Sequence, residues 1–251
     1  MHFDVTPYFK DWPPKDWVTL IASLSAFVFS FLAYLQKTAE TKQSRRKQLT
    51  DTLKELSEIN MKDSTFRATR DKDNLPKNYV AILSDQRRFL VLQASSLAED
   101  LGDNVSPHEH VLIAAAFDAI DFVEDAERHY RAALKLKQNS IDEGMALRSY
   151  ARFEFRQGQF EASRANYQKA TMTFSGAADR LRQYKVETYR RWAELEFKVA
   201  RDPQESLRLL HDAIQESENF QDEDRRETEV KRTEDLISEV NKWISRDLAE
   251  K

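Results

Sequence analysis

The chain has 251 residues, with 4 glycines, 6 prolines and no cysteine, and 33% of its residues are charged. The lack of cysteine excludes disulfides, thiolate nucleophiles and thiolate metal sites. Four glycines are too few for a turn-rich β-sandwich or a glycine-rich nucleotide-binding loop. The net charge of −4 shows no global basicity of the kind that indicates nucleic-acid binding. The composition therefore predicts an all-α protein.

The first apolar segment, residues 17–36, contains no charged side chain. Twenty helical residues extend about 30 Å, the thickness of the bilayer core, so the segment predicts one transmembrane helix after a short extracytoplasmic tail at 1–16. A basic cluster follows it and predicts, by the positive-inside rule, a single-pass protein whose C-terminal domain is cytoplasmic. The same cluster is a candidate for contact with lipid headgroups. Its members are Lys42, Arg45, Arg46 and Lys47.

One face of this predicted transmembrane helix carries small side chains at spacings of three and four. Small residues allow two helices to approach closely in a membrane, so the face predicts self-association or pairing with another membrane protein. Its members are Thr19, Ala22, Ser23, Ala26, Ser30 and Ala33.

Three further regions follow the apolar segment before the last helix of the chain. Residues 37–61 predict a juxtamembrane helix, whose apolar spacing from Leu49 to Leu56 fits a short coiled coil or an amphipathic helix folded back on the main domain. Residues 62–78 predict a polar linker. Residues 79–221 predict a helical domain, and 222–251 an amphipathic capping helix at its end. Helix starts are indicated by capping sequences at Ser106, Ser140 and Asp202.

An internal repeat runs through the helical domain. The six residues that begin at Tyr150 recur as a similar sequence 42 positions later, at Trp192. Small residues recur at intervals of 12 or 13 and then 7, which is expected where two antiparallel helices cross closely. The three sets are Ala114, Ala126 and Ala133, then Ala151, Ser163 and Ala170, then Ala193, Ser206 and Ala213.

This arrangement resembles the tetratricopeptide repeat (TPR), whose second helix carries an alanine followed four residues later by an aromatic side chain. The pairs Ala126 and Tyr130, and Ser163 and Tyr167, fit that pattern over roughly 107–217. The offsets of 37 and 42 residues depart from the 34 of the family. The prediction is a TPR-like α-solenoid of antiparallel helix pairs, with a generic helical-hairpin solenoid as the alternative.

The resemblance implies that the first helix of each pair lines a peptide-binding groove. A row of basic and aromatic residues falls on those helices and suits an acidic or phosphorylated segment, or a small anion such as a nucleotide. The alternative is a solvated face in which these cations pair with glutamates. The candidate groove residues are Arg148, Arg152, Phe155, Arg156, Arg190, Phe197 and Lys198.

The sequence contains no recognisable catalytic, phosphate-binding or metal-binding motif, so we predict neither an enzyme nor a cofactor or metal site. The leading hypothesis is a membrane-tethered TPR-like adaptor or scaffold that binds a protein partner and not nucleic acid, with homo-oligomerisation as an open alternative. The alternative is an oligomerising membrane effector or channel subunit, in which the helical domain senses a ligand and the transmembrane helices cluster.

Overall fold

The computed structural model describes residues 14–69, 79–136, 139–176 and 178–249; within these ranges the side chains of 14–22, 64, 66–69, 80 and 247–249 are outside the description. All regular secondary structure in these ranges is helical, which confirms the all-α part of the prediction. The helices are α1 Pro14–Thr69, α2 Tyr79–Leu101, α3 Pro107–Asp118, α4 Val123–Lys135, α5 Ser140–Arg156, α6 Phe160–Thr173, α7 Asp179–Leu195, α8 Pro203–Ser217 and α9 Glu223–Ala249. The chain divides into two compact units, Met1–Thr50 and Asp51–Lys251.

The predicted transmembrane helix needs correction. In the part of the chain that the structure describes, no helix is long and apolar enough to cross a membrane, and this finding overturns both the span at 17–36 and the single-pass location derived from it. The physical reason is that the apolar run is not a separate element: α1 is one helix of 56 residues that continues into strongly charged sequence. In the part of α1 that belongs to the first unit, many large apolar side chains are exposed, among them Leu24, Phe27, Phe29 and Leu35.

The other predicted features of the first unit have these positions. The side chains of Thr19 and Ala22 lie outside the description, and so do residues 1–13 of the tail predicted at 1–16. The other members of the small face are exposed on α1: Ser23, Ala26, Ser30 and Ala33. In the basic cluster, Lys42 and Lys47 are exposed and Arg45 and Arg46 are half-buried.

The second unit begins within α1. Leu53, Leu56 and Ile59 are buried, as expected for an amphipathic helix packed on its own domain. Arg87 of α2 donates through Nε to Asn60 and through Nη2 to Asp63, each at 3.2 Å. Because α1 extends to Thr69, the first half of the predicted linker at 62–78 is helical, and residues 70–78 lie outside the described part.

The capping sequences determine several helix starts. At α3, the Ser106 hydroxyl accepts from the Glu109 amide, and the Glu109 carboxylate accepts from the Ser106 amide at 2.8 Å, which is the reciprocal capping box. At α8, the Asp202 carboxylate accepts from the Glu205 amide at 3.0 Å. At α5 the cap is Asn139, one residue before the predicted Ser140, and its side chain accepts from the Asp142 amide.

Three helix hairpins, α3–α4, α5–α6 and α7–α8, form most of the second unit. The nine small residues of the repeat are all fully buried or nearly so, as close helix crossings require. Ser163 Oγ donates to the Ala151 carbonyl at 2.6 Å, and Ser206 Oγ donates to the Ala193 carbonyl at 2.8 Å. The corresponding bonds in two hairpins show that these hairpins are structural repeats.

In the last hairpin, α7 is followed by a π-helical turn, Glu196–Ala200, which leads into α8. Arg201 follows it with a φ of +61°. Helix α9 then packs on α8. Val240 of α9 belongs to the same core as Trp192 and Leu209, and Trp243 meets Phe197 edge-on with the ring centres 5.5 Å apart. The apolar side chains of α9 therefore cover the apolar surface of the last hairpin.

Candidate ligand-binding face

The first helices of the hairpins lie side by side, because α5 contacts both α3 and α7. We call the surface that these helices share the inner face. Arg156 Nη1 of α5 lies 2.7 Å from Asp118 Oδ2 of α3, and Arg148 Nη1 of α5 lies 3.2 Å from Glu187 Oε2 of α7. These two ion pairs place the arginines of α5 on the inner face and connect the neighbouring hairpins.

Most of the predicted groove cations have acidic partners. Arg148 and Arg156 are paired as described above. Arg190 Nη2 lies 2.7 Å from Glu229 of α9, and Lys198 Nζ lies 3.9 Å from Glu194. Among the described residues only Arg152, in the middle of the α5 row, is an exposed groove cation that makes no hydrogen bond or ion pair. The structure therefore distinguishes Arg152 from the other predicted groove cations.

The two predicted groove aromatics have a different position. Phe155 is fully buried and Phe197 is 8% exposed, and both side chains belong to the core that α5 to α9 share. Phe155 meets Phe160 of α6 with ring centres 4.9 Å apart. The structure thus places the arginines of α5 on the inner face, Arg190 against α9 and Lys198 on the turn after α7, and it buries the two phenylalanines in the core.

Burial perturbs the charged groups of the inner face. Burial raises the pKa of Asp118, and the guanidinium groups of Arg156 and Arg152 oppose that effect. Burial also lowers the pKa of Arg148, with the Glu187 carboxylate acting in the opposite direction. For Glu187 burial is outweighed: Arg148 and Arg191 together hold the pKa of that carboxyl below its usual range. The inner face is thus a low-dielectric surface on which each buried charge depends on a specific partner.

One buried tyrosine of the middle hairpin was not predicted as a site residue. Tyr167 of α6 is fully buried, its ring stacks on Trp192 with centres 5.5 Å apart, and its hydroxyl has no hydrogen-bond partner among the described residues. Burial raises its pKa, while Arg152, Arg148 and Arg191 act in the opposite direction. The sequence signal was present, because Tyr167 is the large residue that follows Ser163 by four.

A groove between α7 and α9 continues this surface. It encloses a cavity of about 550 Å³ with alternating charges on its walls. Its lining includes Glu187, Arg190, Arg191, Glu229 and Arg232. The mixture of signs favours a polar segment over an apolar one.

A second polar cluster lies between α2, α3 and α4. Ser95 Oγ lies 3.0 Å from His129 Nε2, and His129 Nδ1 lies 2.9 Å from His110 Nδ1. A cavity of about 400 Å³ beside them is lined by both histidines, with Glu99 and Arg128 at its wall. Burial lowers the pKa of His129 to about 4, and burial also lowers the pKa of His110. A serine–histidine contact is typical of a nucleophile and its base, but here both groups are at least 95% buried, so we interpret the cluster as a hydrogen-bonded link between helices.

Within the described residues no group of three or more histidine, aspartate or glutamate side chains is placed to hold a metal ion. Comparison with family models, with curated proteins and with solved structures finds no match to this chain. The inner face is therefore the feature of the molecule from which function is inferred.

Proposed function

We propose that this chain is a TPR-like interaction module whose inner face binds an acidic segment of a partner protein. The observation that carries the proposal is Arg152: it is exposed, makes no salt bridge or hydrogen bond within the described residues and lies between Arg148 and Arg156 on one face of α5. A long cation left unpaired among paired ones is the position from which an external carboxylate or phosphate gains most.

The paired arginines support the same proposal. Arg148 and Arg156 are fixed by carboxylates of neighbouring helices, so their positions are set before a ligand arrives. Preorganised groups lose less conformational freedom on binding, and this raises affinity. The groove between α7 and α9 offers room for the rest of an extended segment.

A peptide selection tests the proposal. The full chain is used to select from a random library of displayed 12-residue peptides, in parallel with the variants Arg152→Glu and Lys169→Glu. Lys169 is an exposed cation on α6, outside the arginine row, and its substitution makes the same change in net charge. We expect wild type and Lys169→Glu to enrich Asp- and Glu-rich peptides, and Arg152→Glu to bind those peptides at least ten-fold more weakly.

Two results would overturn the proposal. One is a wild-type selection without enrichment of acidic residues. The other is equal binding of the selected peptides by Arg152→Glu and Lys169→Glu, which would show that only net charge matters. Circular dichroism and thermal melting establish that the variants are folded.

A further inference from the structure

The cavity beside the two buried histidines has the character of a small-molecule pocket. Its volume is about 400 Å³, and its lining comes from the end of α2 and the turn after it, from α3 and from α4. Four of the lining residues are apolar or small: Ala98, Gly102, Ala132 and Leu136. Sites for small ligands are typically concave and mainly apolar, with a few polar groups that fix the orientation of the ligand.

A chain of hydrogen bonds ends at this cavity. Arg128 Nη2 donates to Ser95 Oγ at 3.4 Å, and Ser95 Oγ lies 3.0 Å from His129 Nε2. His129 Nδ1 lies 2.9 Å from His110 Nδ1, so three of the four imidazole nitrogens are used within the chain of bonds. The fourth, His110 Nε2, has no hydrogen-bond partner among the described residues, and His110 is one of the residues that line the cavity.

The directions of these bonds follow from the positions of the protons. Burial lowers the pKa of both histidines, so at pH 7 each ring is neutral and carries one N–H. Ser95 is 5% exposed and does not line the cavity, and its hydroxyl proton has no acceptor among the described residues other than His129 Nε2. A buried proton without an acceptor is costly, so the hydroxyl donates to His129.

The rest of the chain of bonds is then determined. His129 carries its proton on Nδ1 and donates it to His110 Nδ1. The proton of His110 is therefore on Nε2, which is the nitrogen that has no described partner. The histidine pair offers the cavity one N–H donor in a mainly apolar lining.

The charges at the wall favour an uncharged ligand. They are two carboxylates and two cations, from Glu99, Asp103, Arg128 and Lys135. The first carboxylate already pairs with the guanidinium, since Arg128 Nη1 lies 2.8 Å from Glu99 Oε1. An anion would leave water for a neutral imidazole donor and a wall with no net charge, which costs more than one hydrogen bond returns. A carbonyl oxygen needs only one donor.

We propose that this cavity binds a small uncharged molecule that has an apolar body and a carbonyl group, whose oxygen accepts a hydrogen bond from His110 Nε2. His129 is a positioning residue, because it fixes the tautomer of His110. The site is independent of the acidic-segment proposal, since its residues lie on α2, α3 and α4 and in the turn after α2, and not in the arginine row of α5.

The tautomers provide a first test on the unmodified chain. Long-range ¹H–¹⁵N NMR of the full chain labelled with ¹⁵N-histidine distinguishes the two tautomers of each ring, and the variants His110→Gln and His129→Gln assign the signals. We expect an Nε2–H tautomer for His110 and an Nδ1–H tautomer for His129. The reverse pair would overturn the proposal, because His110 would then offer the cavity an acceptor.

A fragment screen tests the ligand class. Small ketones, amides, carboxylates and alkylbenzenes are screened against the full chain by ligand-observed NMR. Each ketone or amide that binds is compared with its analogue in which CH₂ replaces the C=O group. We expect ketones or amides to bind and to shift the His110 Nε2–H signal, and the CH₂ analogue to bind at least about five-fold more weakly, since a neutral hydrogen bond is worth about that factor.

Two variants locate the binding in the cavity. Ala132 is half-buried in the cavity wall, so Ala132→Phe fills the space and should weaken binding at least ten-fold. Ala165→Phe adds the same ring at an exposed position of α6 and should bind as wild type does. Circular dichroism establishes that both variants are folded. If Ala132→Phe does not fold, the shift of the His110 signal in wild type locates the ligand in its place.

Three results would overturn the proposal. The first is a screen in which no ketone or amide shifts the His110 signal. The second is binding of carboxylates or alkylbenzenes that is as tight as that of the matching carbonyl compounds. The third is equal binding of the carbonyl compounds by Ala132→Phe and Ala165→Phe. None of these results bears on acidic-segment binding, which the peptide selection tests separately.

Discussion

The buried histidine pair makes the stability of the second unit depend on pH below about 6.5. His129 is 4% exposed and its pKa is about 4, compared with 6.5 for an exposed histidine. Burial is the main cause, and His110 and the guanidinium of Arg128 lower the pKa of His129 further. The pKa of His110 is also lowered by burial, with the Glu109 carboxylate acting in the opposite direction. Between pH 6.5 and 4 the unfolded chain therefore binds a proton at His129 that the folded chain does not bind. Stability must fall as the pH falls through this interval.

The size of the effect follows from the two pKa values. A difference between 6.5 and about 4 corresponds to about 3 kcal/mol in full, of which about 2 kcal/mol is lost by pH 5. The geometry explains the sign, because the Nδ1 atoms of His110 and His129 are 2.9 Å apart and can share only one proton. Protonating both rings would replace this hydrogen bond by a repulsion between two buried cations.

Urea unfolding between pH 7.5 and 4.5, followed by circular dichroism, measures this effect. The variant His129→Gln removes the titrating ring, and His211→Gln is the control because His211 is exposed on α8. We expect the free energy of unfolding of wild type and His211→Gln to fall by about 2 kcal/mol between pH 7.5 and 5 relative to His129→Gln. The same pH dependence in His129→Gln and wild type would refute the reasoning.

Two further predictions concern packing and a buried ion pair. A Cβ added at Gly144 would meet the ring of Phe174, so Gly144→Ala should lower the free energy of unfolding by about 1 kcal/mol despite the higher helix propensity of alanine. Gly144→Ala made in a Phe174→Leu background should leave the free energy of unfolding unchanged or raise it. If urea unfolding shows the same loss of stability with Phe174 as with Leu at that position, overpacking against the ring is not the cause. Glu196 is fully buried and receives two bonds from Arg164, at 2.7 and 2.6 Å. Arg164→Met should therefore lower the free energy of unfolding by about 3–5 kcal/mol, because it leaves a buried carboxylate without its cationic partner, and Glu196→Gln should lower it less. A larger loss for Glu196→Gln than for Arg164→Met in urea unfolding would be evidence against a charged Glu196.

Much of the helical architecture could be predicted from the sequence because its determinants are local. The capping box at Ser106, the Asp202 cap and the left-handed Gly102 and Gly158 mark the helix ends with chemistry that acts within a few residues. The repeated small residues also have a direct steric meaning, since a close crossing tolerates no larger side chain. Ser140 shows the limit of this reasoning, because Asn139 beside it is the cap.

The apolar segment at 17–36 shows why composition and length did not determine its role. Its lack of charge and its length predicted a membrane span, but neither composition nor length indicates whether the segment forms a helix of its own. In the structure the helix does not end where the apolar run ends. A stop signal such as glycine or proline between 36 and 61 would have marked a separate helix, and the sequence has none.

The candidate site depended on information that a linear pattern does not contain. The spacing of Arg148, Arg152 and Arg156 predicted one face of a helix but not which cation would find a carboxylate on a neighbouring helix. Phe155 follows Arg152 by three and therefore seemed to share its surface, whereas the structure places its ring in the core. The histidine pair joins residues 19 positions apart on two helices, a contact that helical spacing cannot reveal.

The π-helical turn at Glu196–Ala200 has a consequence for how this repeat tolerates changes in length. The interval from Ala151 to Ser163 is 12 residues and that from Ala193 to Ser206 is 13, yet both serines donate to the carbonyl of the facing alanine. The extra residue lies in the interval that contains the wider π turn, which accommodates one more residue than an α-helical turn. A single-residue insertion has thus been absorbed at the hairpin tip without a shift in the register of the two helices. The tips between paired helices are therefore the places where this fold can lengthen or shorten while its inner face stays in alignment.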